Sequence, residues 1–199
     1  CRFVIDDALA EDSAIALIPT MQRQIAQDIA DAVEDALING DAAATHQDDI
    51  ANWNIRSRWG TSPALGGSSD HRRAWTGLRA QAFDRSATLD VSAATTAKFL
   101  ELFAELGELN STERVIITSP EALVANFLDL SEVLTIDKYG PSATVLQGQL
   151  ASYFGMPIVL SRFMSTDLNG SGLYDNATKT KSGMLCVARD AYMMFSRRG

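Results

Sequence analysis

The order of hydrophobic patterns along the chain predicts an α+β fold, with helices first and then strands mixed with helices. Residues 11–38 carry apolar side chains at Ile15, Ile18, Met21, Ile25, Ile29, Val33 and Leu37, the spacing of one helical face. Arg114-Val115-Ile116-Ile117-Thr118 is a buried-type strand. Ser119-Pro120-Glu121 behind it opens a helix: Ser caps it, Pro takes the first helical position and Glu complements the dipole.

The first helix should run roughly 40 Å, at ~1.5 Å per residue. That exceeds the diameter of a small domain, so it should protrude or form a spine. Asp12 or Ser13 can cap it, Asn39-Gly40 should stop it, and Pro19 should kink or restart it. The opposite face holds Asp28, Asp31, Glu34 and Asp35. Residues 39–70 read as a long loop, most flexible over residues 64–69. A short helix should follow, with Trp75, Leu78 and Ala82 on one face and Ser69 or Asp70 as cap. Ser92 can cap a further helix bearing Phe99, Leu100, Phe103 and Leu106, ended by Gly107. Leu123, Val124, Phe127 and Leu128 form the apolar face of the helix after Pro120. Later strands are expected at 133–136, 157–161, 184–188 and 192–196, with an exposed polar loop over 166–181.

Composition bounds the function. With 199 residues, 46% hydrophobic and 21% charged, the chain can build a sizeable core in one or two domains. A net charge of -8 at pH 7 argues against a nucleic-acid-binding surface, which needs clustered Lys and Arg. The basic pairs Arg72-Arg73 and Arg197-Arg198 read as solvated or ion-paired. No apolar run approaches the ~20 residues of a membrane span, and no secretory signal is visible. Cys1 and Cys186 are too few for a disulfide framework, and Cys186 reads as a small buried hydrophobe. Both fit synthesis in a reducing, intracellular place. The sequons at Asn110, Asn169 and Asn176 matter only in a secreted eukaryotic protein. Cys1-Arg2-Phe3-Val4-Ile5 reads as the inside of a strand, which suggests loss of an N-terminal portion rather than a lipid-modified Cys1.

Residues that could carry chemistry are sparse. His46 lies in Thr45-His46-Gln47-Asp48-Asp49, a weak metal cluster without the one-face helical spacing of ligands. His71 beside Arg72 and Arg73 could act as a base, but no nucleophile motif accompanies it. No phosphate-cradling glycine loop occurs; Gly66-Gly67 is a loop dipeptide and Tyr139-Gly140-Pro141 a turn. Asp31, Glu34 and Asp35 could form an acidic metal patch, but such a run is more often a solvated face or half of an ion-paired subunit contact. Met193 and Met194 read as core, with an interface as the alternative. The expectation is a chain with no catalytic, cofactor-binding or metal-binding residues.

Leu9-Ala10-Glu11-Asp12-Ser13 before the first helix and Ile38-Asn39-Gly40-Asp41 at its end resemble the spine helix of tailed-bacteriophage major capsid proteins, a fold shared with encapsulin shells. The stretches 116–122, 134–141 followed by 155–161, and Ala188-Arg189-Asp190 resemble, in that order, the apical-domain strand-to-helix step, its later strand and the return to the peripheral domain. The resemblance implies the phage major capsid protein fold: a peripheral domain of residues 1–87 with 184–199, including the spine helix 11–38, and an apical domain of 88–183 with a central β-sheet flanked by helices. It further implies a structural shell protein, not an enzyme. Copies would assemble into pentamers and hexamers of an icosahedral head, in company with scaffold or protease and portal proteins. Packaged DNA would be held only non-specifically, with no cofactor and no membrane. The place would be the virion capsid, after synthesis in the bacterial host cytoplasm. The family's N-terminal arm and extended hairpin have no counterpart in these residues, so its inter-subunit cross-link cannot be mapped. The acidic helix face would line the shell interior or pair with a neighbour's Arg. Three alternatives stand beside this: an encapsulin-type compartment shell, a small hydrolase or metal enzyme using His46 or His71, and a lipoprotein anchored through Cys1.

Overall fold

The structure is a computed structural model that describes residues 17–45, 48, 70–91, 95–106, 114–127, 130, 133–134, 149–153, 155–175 and 177–193. The chain is α+β. In order it forms α1 (Leu17–Asn39), a 3-10 turn (His71–Arg73), α2 (Leu78–Asp84) and α3 (Thr96–Glu105). Then come β1 (Arg114–Thr118), α4 (Pro120–Asn126), β2 (Val133–Leu134), β3 (Gln149–Tyr153), β4 (Met156–Leu160), β5 (Met184–Ala188) and a second 3-10 turn (Arg189–Ala191).

The five strands form one sheet in the order β2-β3-β4-β1-β5. β1 and β4 are parallel, with Ile116 opposite Ile158, and every other neighbouring pair is antiparallel. β5 runs along the whole of β1, from Arg114 opposite Ala188 to Thr118 opposite Met184. A domain boundary expected at 183/184 therefore cuts through this sheet, because Met184–Ala188 is its edge strand. β3 and β4 join through residues 154–155, where Gly155 takes φ +77°, the left-handed conformation that a tight hairpin demands and glycine adopts freely.

Side chains alternate across the sheet. On one face Ile116 and Ile158 meet Phe99 and Phe103 of α3 and Leu123 and Phe127 at α4. Tyr153 completes this core, its ring packed edge-on against Phe99 and Phe127 at 5.3 and 6.0 Å, while Phe99 and Phe127 stack at 4.8 Å. On the other face Ile117 and Leu185 lie under Ile38, Phe163 and Met164. The last turn of α1 is thus seated on the sheet, opposite α3 and α4.

Several local expectations hold. Ser119 Oγ accepts from the Ala122 amide at 3.0 Å, and Pro120 opens α4. Asp70 caps the turn after it by accepting from Arg72 N at 2.9 Å. α1 is described from Leu17, with Pro19 in its first described turn, and the residues 11–16 on which a kink or restart at Pro19 depends lie outside the described residues. Other expectations need correction. Thr95, not Ser92, caps α3, its hydroxyl accepting from Lys98 N. The short helix expected around Trp75 is two pieces separated by residues 74–77, and Trp75 is exposed. Val124 faces solvent. Of the strand expected at 192–196, Tyr192 and Met193 lie in no strand and 194–196 fall outside the described residues; Met193, read as core, is 77% exposed. The stretch 166–181 is pinned: Leu168 pairs with Lys181, and Leu168 and Tyr174 are buried.

Gly40 ends α1 for a reason the capping pattern does not state. Its φ is not in the left-handed region. Instead the chain passes too close for a side chain: a Cβ there would lie 2.3 Å from the Ala36 carbonyl oxygen and 2.6 Å from that of Trp75. Gly77 meets it from the other side, where a Cβ would lie 2.6 Å from Gly40 N. Backbone bonds fasten this crossing, Gly77 N to Gly40 O and Asp41 N to Arg72 O, each 2.8 Å. Gly40→Ala and Gly77→Ala should each destabilise the fold by about 2–4 kcal/mol, since the obstructing atoms are backbone and cannot swing aside. Thermal melting of the two variants checks this.

Candidate functional site

The feature that most sets the described residues apart is a buried polar cluster where the end of α1 meets residues 70–79 and the segment after β4. α1 contributes Asp35 and Asn39 from one helical face, four residues apart. Asn39 Nδ2 donates to Asp35 Oδ1 at 2.8 Å and to the Phe163 carbonyl at 2.9 Å. Its Oδ1 accepts from Arg79 Nη1 at 2.8 Å. The same guanidinium grips Asp48 two-pronged, at 2.8 and 3.0 Å, and donates to the Gly172 carbonyl at 2.8 Å. Asp48 Oδ1 also accepts from Tyr174 N at 2.8 Å. Arg79, Asp48, Asn39 and Asp35 are all buried.

Next to this cluster, His71 Nε2 lies 2.7 Å from Asp35 Oδ2 and its Nδ1 lies 3.6 Å from Asp70 Oδ1. Asp70 is itself held by Arg72 through Nε at 3.0 Å and Nη2 at 2.7 Å. Burial acts to raise the Asp70 carboxyl. Hydrogen bonds from the Arg72 side chain and backbone, with the charges of Arg72 and His71, outweigh it and hold the group below its usual range. Farther along α1, Glu34 accepts from Ser161 Oγ at 2.6 Å, and Asp31 pairs with Arg162, whose guanidinium lies 4.9 Å over the Phe163 ring.

The acidic face of α1 is therefore not simply solvated. Asp31, Glu34 and Asp35 bind Arg162, Ser161, Asn39 and His71 of the same chain. Arg72, read as solvated or ion-paired, is buried against Asp70. Cys186 packs against the main core, and burial pushes its thiol up to about 11, against a smaller opposing effect of Arg114. His46, Arg197, Arg198, Met194 and Cys1 lie outside the described residues. Asn169 is part of a turn, its Oδ1 accepting from Ser171 N and Leu173 N.

The cluster ties the end of α1 to residues 70–79 and to the segment after β4. Both ring nitrogens of His71 face carboxylates of its own chain. No group of three His, Cys, Asp or Glu among the described residues could hold a metal ion. A cavity of about 850 Å³ lies beside Phe83, Phe99, Phe127, Met164 and Met184, and its lining mixes these with charged groups, of which Arg79 is bound to Asp48 and Lys181 to Asp90 at 2.6 Å. No helix among the described residues is long and apolar enough to cross a membrane. Fold and cluster together define an α+β chain whose long helix is locked at one end by buried ion pairs. Neither a model of a known protein family nor a curated protein matches the sequence.

Arg79 is not singled out by the sequence, and Asp48 figures there only in the weak metal cluster around His46. Arg79 sits in the otherwise helical and largely apolar run Leu78-Arg79-Ala80-Gln81-Ala82-Phe83, and a buried Arg there is a weak signal that a partner exists. Nothing local points to Asp48, which is 31 residues away.

Two outcomes follow for stability. Arg79→Met should cost about 3–5 kcal/mol, because it strands the buried Asp48 charge. Adding Asp48→Asn should recover part of that loss, a coupling that denaturant melts of the four-member cycle would read. Asp70, depressed in the folded state, contributes stability that is present above its unfolded value near 3.8 and is lost as pH falls through the lower folded value. Asp70→Asn should lower stability at neutral pH by about 1–3 kcal/mol and flatten the loss below about pH 4, measured as melting temperature against pH.

Proposed function

We propose that this chain is a structural shell subunit of the tailed-phage major capsid type, working through surface contacts with copies of itself. The observation that carries the reading is the orientation of α1. From Ile18 to Glu34 no residue of this helix is fully buried. Its inward flank at the C-terminal end is polar, engaged through Asp31, Asp35 and Asn39, while Glu34 at the exposed edge accepts from Ser161. Ile18, Ile29 and Leu37 are 54%, 57% and 37% exposed. A 23-residue helix, about 35 Å long, is thus clamped at one end and offers apolar side chains outward. Apolar residues aligned on an exposed helix suit an interface between proteins.

The sheet with α3 and α4 on one face and the end of α1 on the other supports the same reading. So do Ser119-Pro120-Glu121 at the strand-to-helix step and the Asn39-Gly40-Asp41 turn, the motifs on which the resemblance rests. In this proposal the head would enclose DNA without gripping it, consistent with the net charge of -8. Asp31 and Asp35 are paired within their own chain, so the proposal no longer assigns these two to a neighbour's Arg. An encapsulin-type shell would use the same surfaces. A hydrolase based on His71 is disfavoured by the carboxylates opposite both of its nitrogens.

Electron microscopy of the full gene product tests the reading. Closed icosahedral particles containing nucleic acid are the expected result. Particles filled with a cargo protein instead would favour the compartment shell, and a protein that stays monomeric at high concentration would refute both. Ile29→Asp should leave monomer stability within about 0.5 kcal/mol, as a surface substitution, while preventing particle formation.

A further inference from the structure

We infer that two copies of this chain pair through α1, antiparallel, about a two-fold axis passing near Asp28 and Ile29. The inference rests on the self-association proposed above and specifies one contact within it.

Some exposed residues of α1 fall in pairs roughly mirrored about that point. Ala26 and Ala30 are both exposed, two residues on either side of position 28. Arg23 and Glu34 are both exposed and eleven residues apart, about three turns at ~3.6 residues per turn, so they stack on one flank. Ile18 and Leu37, exposed at the two ends, are also nearly symmetric about it. In an antiparallel pair with a two-fold axis, residues on one flank meet residues on the same flank at the mirrored height. Arg23 then meets the partner's Glu34, twice per dimer. Ala26 meets the partner's Ala30, and Ile18 comes to the level of the partner's Leu37. The central alanines let the helix axes approach closely, and Ile29 fills the space beside the axis. A parallel pair would instead set each flank against the partner's opposite flank at the same height, where neither Arg23 nor Glu34 finds a charge of opposite sign. Charge thus selects both the occupant, a second copy, and its direction. Glu34 is exposed although its Oε1 accepts from Ser161 Oγ.

Cysteine pairing decides the direction. In a chain carrying Cys1→Ala and Cys186→Ala, Arg23→Cys and Glu34→Cys are made separately, and circular dichroism confirms that each remains folded. Under mild oxidation neither variant alone should form a disulfide dimer, while an equimolar mixture should give the mixed dimer. Self-linked dimers of either variant, or no mixed dimer, overturn the inference. Charge exchange gives a second reading that needs no cysteine. Arg23→Glu and Glu34→Arg should each weaken dimerisation about tenfold, two reversed pairs per dimer at surface-pair strength, and the double variant should regain it. Single variants that dimerise like the unaltered chain overturn the pairing. Particles without the mixed cross-link defeat this contact and leave the shell reading intact. The mixed cross-link in a protein that never forms particles does the reverse.

Discussion

The guanidinium of Arg79 is buried, and a buried charge without compensation costs several kcal/mol. Everything around it is arranged to supply that compensation. Asp48 gives the counter-charge, Asn39 and the Gly172 carbonyl take the remaining hydrogens, and Asn39 is held in turn by Asp35 and the Phe163 carbonyl. Five separate stretches of chain meet in this one set of bonds: the end of α1, position 48, residues 70–79, the segment after β4 and the turn at 169–174. Such a network adds little net stability compared with a well-packed apolar equivalent. Its effect is on uniqueness, because any displaced arrangement leaves a charge or an amide buried without a partner.

That constraint also fixes which way α1 faces. Its last turn must present Asp35 and Asn39 to His71 and Arg79, and the turns before it present Asp31 and Glu34 to Arg162 and Ser161. The helix has only one rotational setting that satisfies these contacts. In that setting Ile29 and Ala30 point outward and Ile38, near the other end, points into the second core with Phe163 and Met164. The exposed apolar residues are therefore a consequence of satisfying buried charge. The glycine crossing at Gly40 and Gly77 is part of the same geometry, since it brings the two backbones close enough for Asp35 to reach His71.

Local chemistry was the part of this that could be read from the sequence. Ser119-Pro120-Glu121 and the β-branched run before it form as expected because capping and strand propensity act within a few residues. β5 was found at its actual ends, since Met184–Ala188 is a bounded apolar run. β3 was missed: Gln149-Leu150-Ala151-Ser152-Tyr153 has weak strand propensity, and it is held by pairing with β4 and by the burial of Tyr153 in the aromatic core. The amphipathic period of α1 was plain, but a period says only that two faces differ. It does not say which face the rest of the chain will cover. Here long-range ion pairs decided it, and ion pairs between positions 48 and 79 leave no periodic trace. His71 was weighed only as a base and set aside for want of a nucleophile, when its contacts make it a tie between α1 and Asp70.

A shell subunit needs two properties that pull against each other. Its interfaces must be apolar enough to hold, and the isolated subunit must not present so much apolar surface that it associates in wrong registers. In the proposed reading, α1 answers this by how its exposed side chains are spaced. Single isoleucines are separated by alanine and glutamine, so no broad apolar patch forms, and the hydrophobic contribution of any one contact is small. Direction then has to come from charge, and Arg23 and Glu34 at mirrored positions provide it without adding buried ions. The buried cluster at the other end of the helix lets this work, because a stripe of modest affinity selects a partner only if the helix carrying it is held at a fixed angle. The charges hidden inside the chain and those displayed on the helix thus have complementary tasks, the first orienting α1 and the second orienting what meets it.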